Sequence, residues 1–193
     1  MNPAIEISLC VLAWLIALNR GRTALLNRAW RNDPTAFLIG AASLFFALTM
    51  TFLVTPLSDV VNHLTWPNFS RLLAYSFVSV TLFLTTSSSL ITFPIPQKLR
   101  HRSILKPYLL VTLGLLLILY VFYVSRTPEW EEQPIPATAG EMVFKLVMFT
   151  HAIFLCSLIA LACAHYVSRE KVAVTKYRIA TISLTAICGG AFF

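Results

Sequence analysis

The sequence predicts an all-α fold, a polytopic transmembrane helix bundle with six spans present, and three observations predict it. The 193 residues are 58% apolar and 12% charged, with a mean hydropathy of +0.76. A soluble domain is about 45–50% apolar and about 25% charged. The apolar residues gather into runs approaching or exceeding the roughly 18 residues a bilayer demands of a spanning helix. The cationic residues fall between those runs, in alternate loops. Together these features exclude a disordered chain, a disulfide-stapled secreted module and an ordinary cytosolic enzyme.

The first run covers 3–18. It is not a signal peptide: residues 1–6 carry no Lys or Arg but do carry Glu6, and the positive charge follows the run, in Asn19-Arg20-Gly21-Arg22. No small-residue cleavage site precedes a mature domain. The reading is a retained helix. The second run, 34–54, has Asp33 as N-cap and Pro34 at the first helical position, where a missing N–H costs nothing. It carries Ala36 and Gly40, then Ser43 and Ala47, pairs of small residues at the spacing that lets helices meet closely.

The third run, 70–93, is closed by Pro94 and Pro96, and the fourth, 107–125, is opened by Pro107. The fifth, 141–167, follows Thr138 and Glu141 at capping-box spacing. The sixth, 179–193, would be roughly 22 Å long as a helix, against a hydrocarbon core of about 30 Å. The expectation is that the chain continues in a longer protein with a seventh span; a short final helix is the alternative. No internal repeat and no domain linker is evident, so 1–193 reads as one transmembrane domain.

Charge placement orients the bundle. The loop 19–33 carries Arg20, Arg22, Arg28 and Arg31. The loop 94–106 carries Lys98, Arg100, Arg102 and Lys106, and the loop 168–178 carries Arg169, Lys171, Lys176 and Arg178. That is twelve of the fifteen cations; the opposite side holds Arg71, Arg126 and Lys145 with Glu6, Asp59, Glu129, Glu131, Glu132 and Glu141. By the positive-inside rule the three basic loops are cytoplasmic and the N-terminus is outside. The net charge of +7 therefore reads as orientation, not as a nucleic-acid footprint.

Few residues carry candidate chemistry. Thr81, Thr85, Ser88 and Thr92 fall on one helical face of the third run, widened by Thr86, Ser87 and Ser89. They are either the wall of a solute pathway or hydroxyls that pack helices together. Lys145 lies one turn after Glu141, a favourable pair at the outer end of the fifth run. His151 lies roughly 9 Å deeper. An ionisable residue at that depth is a functional candidate, and the alternative is a neutral imidazole bonded to a neighbouring helix. Outside the membrane, Asp59 and His63 are four apart and share a helical face. Glu129, Glu131 and Glu132 flank Trp130 among prolines. These external residues suit a cation or a basic peptide, or else form a solvated loop with Trp66 and Trp130 at headgroup level. Cys10, Cys156, Cys163 and Cys188 all lie in apolar runs without metal spacing and read as small buried residues. No nucleophile–base pair, phosphate loop or paired intramembrane carboxylates appear, so neither catalysis, a cofactor nor a metal is expected.

The segment Val61-Asn62-His63-Leu64-Thr65-Trp66-Pro67-Asn68-Phe69-Ser70-Arg71-Leu72-Leu73-Ala74, with the basic first loop and the acidic Pro-rich loop before the fifth run, resembles a bacterial family of seven-helix membrane proteins of unknown function, often labelled transporters. The resemblance covers most of the chain. It implies a seventh helix and a cytoplasmic C-terminal region, and it supplies no catalytic residues.

The functional expectation is a membrane sensor or signalling module that perceives a ligand and reports to a cytoplasmic part. The alternatives are a small-solute transporter or permease, with the hydroxyl face and His151 lining the path, and a structural membrane subunit. The lipid bilayer is the partner the composition demands. A membrane or cytoplasmic protein partner and a homo-oligomer are both compatible with the sequence; nucleic acid is not expected.

Overall fold

A computed structural model describes residues 3–26, 33–92, 102–122, 124–126 and 139–168. The expected sixth span, the loop 168–178 beyond Ser168 and most of the loop 94–106 lie outside them. The described residues form α1 (Pro3–Leu26), α2 (Pro34–Leu53), α3 (Thr55–Leu64), α4 (Phe69–Thr92), α5 (Arg102–Phe122), a 3-10 turn (Val124–Arg126) and α6 (Ala139–Val167), with no strand among them. Helices α1, α2, α4 and α6 are long and apolar enough to cross a membrane, and α5 contributes a shorter apolar stretch, Lys106–Phe122.

α4 is the hub. It packs on α2, α5 and α6, while α5 and α6 also pack on each other and α1 leans chiefly on α2. The α1–α2 contact is made by small residues: Ala13, Ala17 and Ala47 are buried together. A Cβ at Gly40 would meet Ala24 Cβ at 3.5 Å. Without large knobs between them the two backbones approach closely. Trp14 Nε1 donates to Thr51 Oγ1 at 2.9 Å and so ties the helices across this seam. The small residues at 40 and 47 thus face a helix of the same chain.

α2 starts where the sequence places it. Asp33 Oδ1 accepts from the N–H groups of Thr35 and Ala36, both at 3.0 Å, and Pro34 opens the helix. Two boundaries differ from the sequence reading. α1 runs to Leu26, two turns beyond the apolar run, so Arg20 and Arg22 are helical. No proline interrupts 19–26, and a helix satisfies its own backbone wherever the side chains permit it. α5 begins at Arg102, with Pro107 inside it. A proline there removes one bond from the ladder, close enough to the helix start for the rest to form.

The segment after α2, which lies outside the apolar runs and where Asp59 and His63 have helical spacing, is the helix α3. Its register puts Leu57, Val60, Val61 and Leu64 on one face at amphipathic spacing. Leu57, Val60 and Leu64 are exposed, as is Trp66 just beyond, which is the pattern of a helix lying in the membrane interface. Its N-terminus has no cap from Val54. The cap comes from α1 instead: Glu6 Oε2 accepts from Thr55 N–H at 3.1 Å and from Thr55 Oγ1 at 2.9 Å. A carboxylate is favourable at that end of the helix dipole.

The α3–α4 turn is a polar knot. Asn62 Oδ1 accepts the N–H of Ser70 at 2.9 Å, and the hydroxyls of Ser58 and Ser70 meet at 2.7 Å. Tyr120 OH donates to the Pro67 carbonyl at 3.0 Å. Asn68 has a φ of 59°, the left-handed region that asparagine tolerates better than most. It is fully buried, and its Nδ2 donates to the Val124 carbonyl at 3.2 Å. Edge-to-face contacts of Trp66 with Phe69 and of Phe69 with Tyr120 cover the knot.

Replacing Asn68 should separate its two duties. Asn68→Gly keeps the backbone conformation and loses the bond to Val124, about 1–3 kcal/mol. Asn68→Ala adds the left-handed penalty of roughly 1–2 kcal/mol. Thermal unfolding of the two variants in detergent should therefore rank alanine below glycine; equal midpoints would show that the turn's conformation carries no cost.

Candidate functional site

The three-helix half of the molecule has a layered core. Near the turn just described, Leu72, Leu116, Tyr120, Val124, Phe144 and Met148 form one apolar cluster. Toward the other end, Leu90, Leu155, Ile159, Ala162 and Cys163 form a second. Between them, by position on all three helices, lies a polar layer made by Ser79 of α4, Thr112 of α5 and His151 of α6, all buried.

His151 is 1% exposed. Its Nδ1 lies 3.3 Å from Thr112 Oγ1 and its Nε2 lies 3.4 Å from the Ser79 carbonyl oxygen. The Tyr108 ring stacks on it, with centroids 5.3 Å apart and planes at 16°. Phe154 in turn packs against Tyr108 at 4.8 Å. The Ser79 hydroxyl donates back to the Tyr75 carbonyl at 2.9 Å and lies 3.5 Å from Met148 Sδ. One histidine thus touches α4 through a backbone oxygen and α5 through a hydroxyl and a ring.

The proton inventory of this layer is restrictive. A carbonyl oxygen only accepts, so Nε2 must carry a proton to bond Ser79. In the neutral ring Nδ1 is then the acceptor. Thr112 has one hydroxyl proton and two claimants for it: His151 Nδ1 and the Tyr108 carbonyl, which lies 3.0 Å away. With a neutral ring, satisfying His151 takes the proton from Tyr108. With a protonated ring, Nδ1 donates to the Thr112 oxygen and the hydroxyl proton returns to Tyr108. The layer therefore has two self-consistent hydrogen-bond arrangements that differ by one proton. A cation in it would have no carboxylate beside it, since these partners are a hydroxyl, a carbonyl and a phenol ring.

The other sequence-predicted residues occupy three places. Thr81, Thr85 and Thr92 donate to the carbonyls of Phe77, Thr81 and Ser88 at 2.8–2.9 Å. Thr86 and Ser89 bond back in the same way, and Ser88 is buried. The hydroxyl protons of these five residues are committed to their own helix. Lys145 is half-buried in the second turn of α6. Asp59 and His63 sit one turn apart on α3, both exposed, and are not brought to the histidine layer. Glu129, Glu131 and Glu132 lie outside the described residues. Cys156 and Cys163 are buried free thiols, and Cys10 is a half-buried one. Among the described residues no three His, Cys, Asp or Glu side chains are grouped to hold a metal ion.

Sequence reasoning found His151 but missed its partners. Thr112 had a legible signal, a single hydroxyl within a leucine-rich run. Ser79 enters through its backbone oxygen, which no side-chain pattern announces, and Tyr108 through ring stacking. No protein-family model, curated protein or solved structure matches the chain, so the site is argued from its own geometry.

Two measurements check the proton assignment. Nitrogen-15 NMR of the full chain in detergent should find the neutral His151 ring protonated on Nε2; a proton on Nδ1 overturns the Ser79 bond. Thr112→Val should destabilise the bundle by about 1 kcal/mol, read as a lowered unfolding midpoint.

Proposed function

We propose that this chain is a multi-pass membrane sensor or signalling module, with six spans, its N-terminus outside and its basic loops in the cytoplasm. Its helix bundle perceives a ligand and passes the signal to a cytoplasmic part. The observation that carries the reading is the buried layer of Ser79, Thr112 and His151. It joins three helices through a hydroxyl whose single proton has two competing acceptors. Signalling across a bundle needs an element with two discrete arrangements that a ligand can bias. This layer supplies such an element, flanked on both sides by apolar clusters that exclude water.

The hydroxyl row on α4 supports the same choice over a transporter. A solute pathway needs hydroxyls free to replace the solute's hydration. Those at 81, 85 and 92 already donate to their own helix. The orientation rests on charge: twelve of fifteen cations fall in alternate loops, and short loops rich in Lys and Arg stay on the cytoplasmic side. The exposed apolar face of α3 and Trp66 then lie at the outer interface, where an external ligand arrives.

The full chain in proteoliposomes tests both parts. Nitrogen-15 spectra of His151 should show two ring states, one protonated on Nε2 alone and one on both nitrogens, whose ratio follows pH and shifts in Thr112→Val, while a pH-sensitive dye inside the vesicles reports no proton flux. Downhill flux of protons or of a small-solute panel that Thr85→Val or His151→Gln abolishes would give the transporter instead. Single cysteines at 98–106 should label only from the cytoplasmic side of inverted vesicles; external labelling reverses the topology.

A further inference from the structure

The α1–α2 seam leaves an open cleft of about 660 Å³ on the side of the bundle farthest from the histidine layer. Its walls are apolar, and they run from Trp14 past Gly21 to Leu26 on α1 and from Phe37 to Leu44 on α2. The cause is the small-residue packing. Gly40 and Ala24 bring the backbones together, and the short side chains beside them leave a trough that no described residue fills. A Cβ at Gly21 would meet nothing within 4 Å. Arg22 is the only charged side chain in the lining.

We infer that this cleft seats one acyl chain of an anionic phospholipid, with Arg22 on the lipid phosphate. Two magnitudes fit the occupant. From Trp14 to Leu26 the trough spans about 18 Å along the helix axis, and one leaflet supplies roughly half of a 30 Å hydrocarbon core. The cleft thus has the depth of one leaflet, with Trp14 near the midplane. The volume lies within the roughly 300–1,000 Å³ of pockets that bind small ligands. Charge decides the headgroup. Arg22 stands toward the shallow end, where its guanidinium reaches the interface while its methylenes cover apolar wall. A guanidinium binds phosphate bidentately, and Arg20, exposed one turn-half away on the same helix end, adds to the positive field that an anionic lipid seeks. The inference needs only that Arg22 lie at headgroup level of one leaflet, so it stands apart from the sensor reading and from the orientation.

Trp14 is a built-in probe. The full chain is reconstituted in nanodiscs of phosphatidylcholine containing a few mole per cent of brominated phosphatidylglycerol or brominated phosphatidylcholine, and tryptophan quenching is read against Trp14→Phe, which reports the other indoles. The Trp14 signal should be quenched several-fold more by the anionic lipid than by the zwitterionic one. Arg22→Gln should remove that preference while leaving quenching by both. Gly21→Leu puts side-chain atoms into the trough from a position where an added Cβ meets nothing within 4 Å, so it should abolish the preferential quenching and leave the unfolding midpoint unchanged or raised. Equal quenching by the two lipids in the native chain would reduce the cleft to ordinary lipid contact. Quenching indifferent to Gly21→Leu would overturn the seat. A Gly21→Leu variant that converts a dimer to a monomer in detergent would assign the cleft to a second copy.

Discussion

Four of the described helices are long and apolar enough to cross a membrane, and a helix of that kind must satisfy its polar atoms from within the protein. In hydrocarbon a backbone or hydroxyl group without a partner costs several kcal/mol, so the hydroxyls of the long helices are tied to the carbonyl four residues back: Ser43, Thr49, Thr81, Thr85 and Thr92 all follow the pattern. A hydroxyl used in this way keeps only its acceptor lone pairs for any other partner. What stands out are the few that do more. Thr51 bonds back to Ala47 and also receives the Trp14 indole. Thr112 bonds back to Tyr108 and also meets His151. Both are places where one helix is held to another by something other than shape.

The same constraint explains the turn between α3 and α4. Between α3 and α4 the chain leaves helical geometry for a few residues, and the backbone groups thereby freed are met one by one: the Pro67 carbonyl by Tyr120, the Ser70 N–H by Asn62. The 3-10 turn at Val124 is met by Asn68. Glu6 does the equivalent work for the start of α3. Irregular backbone survives at a membrane surface only where side chains from other elements converge on it. That convergence also fixes where α1, α3, α4 and α5 stand relative to one another.

Much of the long-helix pattern was legible because hydrocarbon length and helix capping are local properties. The runs at 34–54 and 70–93 match α2 and α4 to within a residue or so, and Asp33 caps as its type and place predict. His151 was legible because an ionisable residue among apolar ones is conspicuous. What stayed hidden depends on partners distant in sequence. α3 is short and amphipathic, so its sequence shows only the helical spacing of Asp59 and His63, and its N-terminus is completed by Glu6, 49 residues away. The extension of α1 past Leu18 was masked by arginines that a helix end tolerates. Ser79 could not be named in advance because its contribution is a carbonyl, and every residue has one. The residues at 129, 131 and 132 and the run at 179–193 are known only as sequence.

The two halves of the bundle solve the problem of helix association differently. α1 and α2 meet through small residues, a surface that is smooth along its length and leaves room for lipid on its flank. α4, α5 and α6 meet through large apolar side chains above and below a polar layer, and that layer sets their register. His151 reaches the Ser79 carbonyl and the Thr112 hydroxyl together at one axial position only. Sliding α6 by a turn, about 5.4 Å, would bring Met148 or Leu155 level with Thr112 and leave the imidazole facing one of the apolar clusters, at the cost of an unpartnered polar group. Shape resists such a slip as well, since Phe144 and Met148 lie on one side of the layer and Ala162 and Cys163 on the other. The polar layer adds to that packing a specificity set by hydrogen bonds. The arrangement that locks the register is also the one whose hydrogen bonds have two solutions.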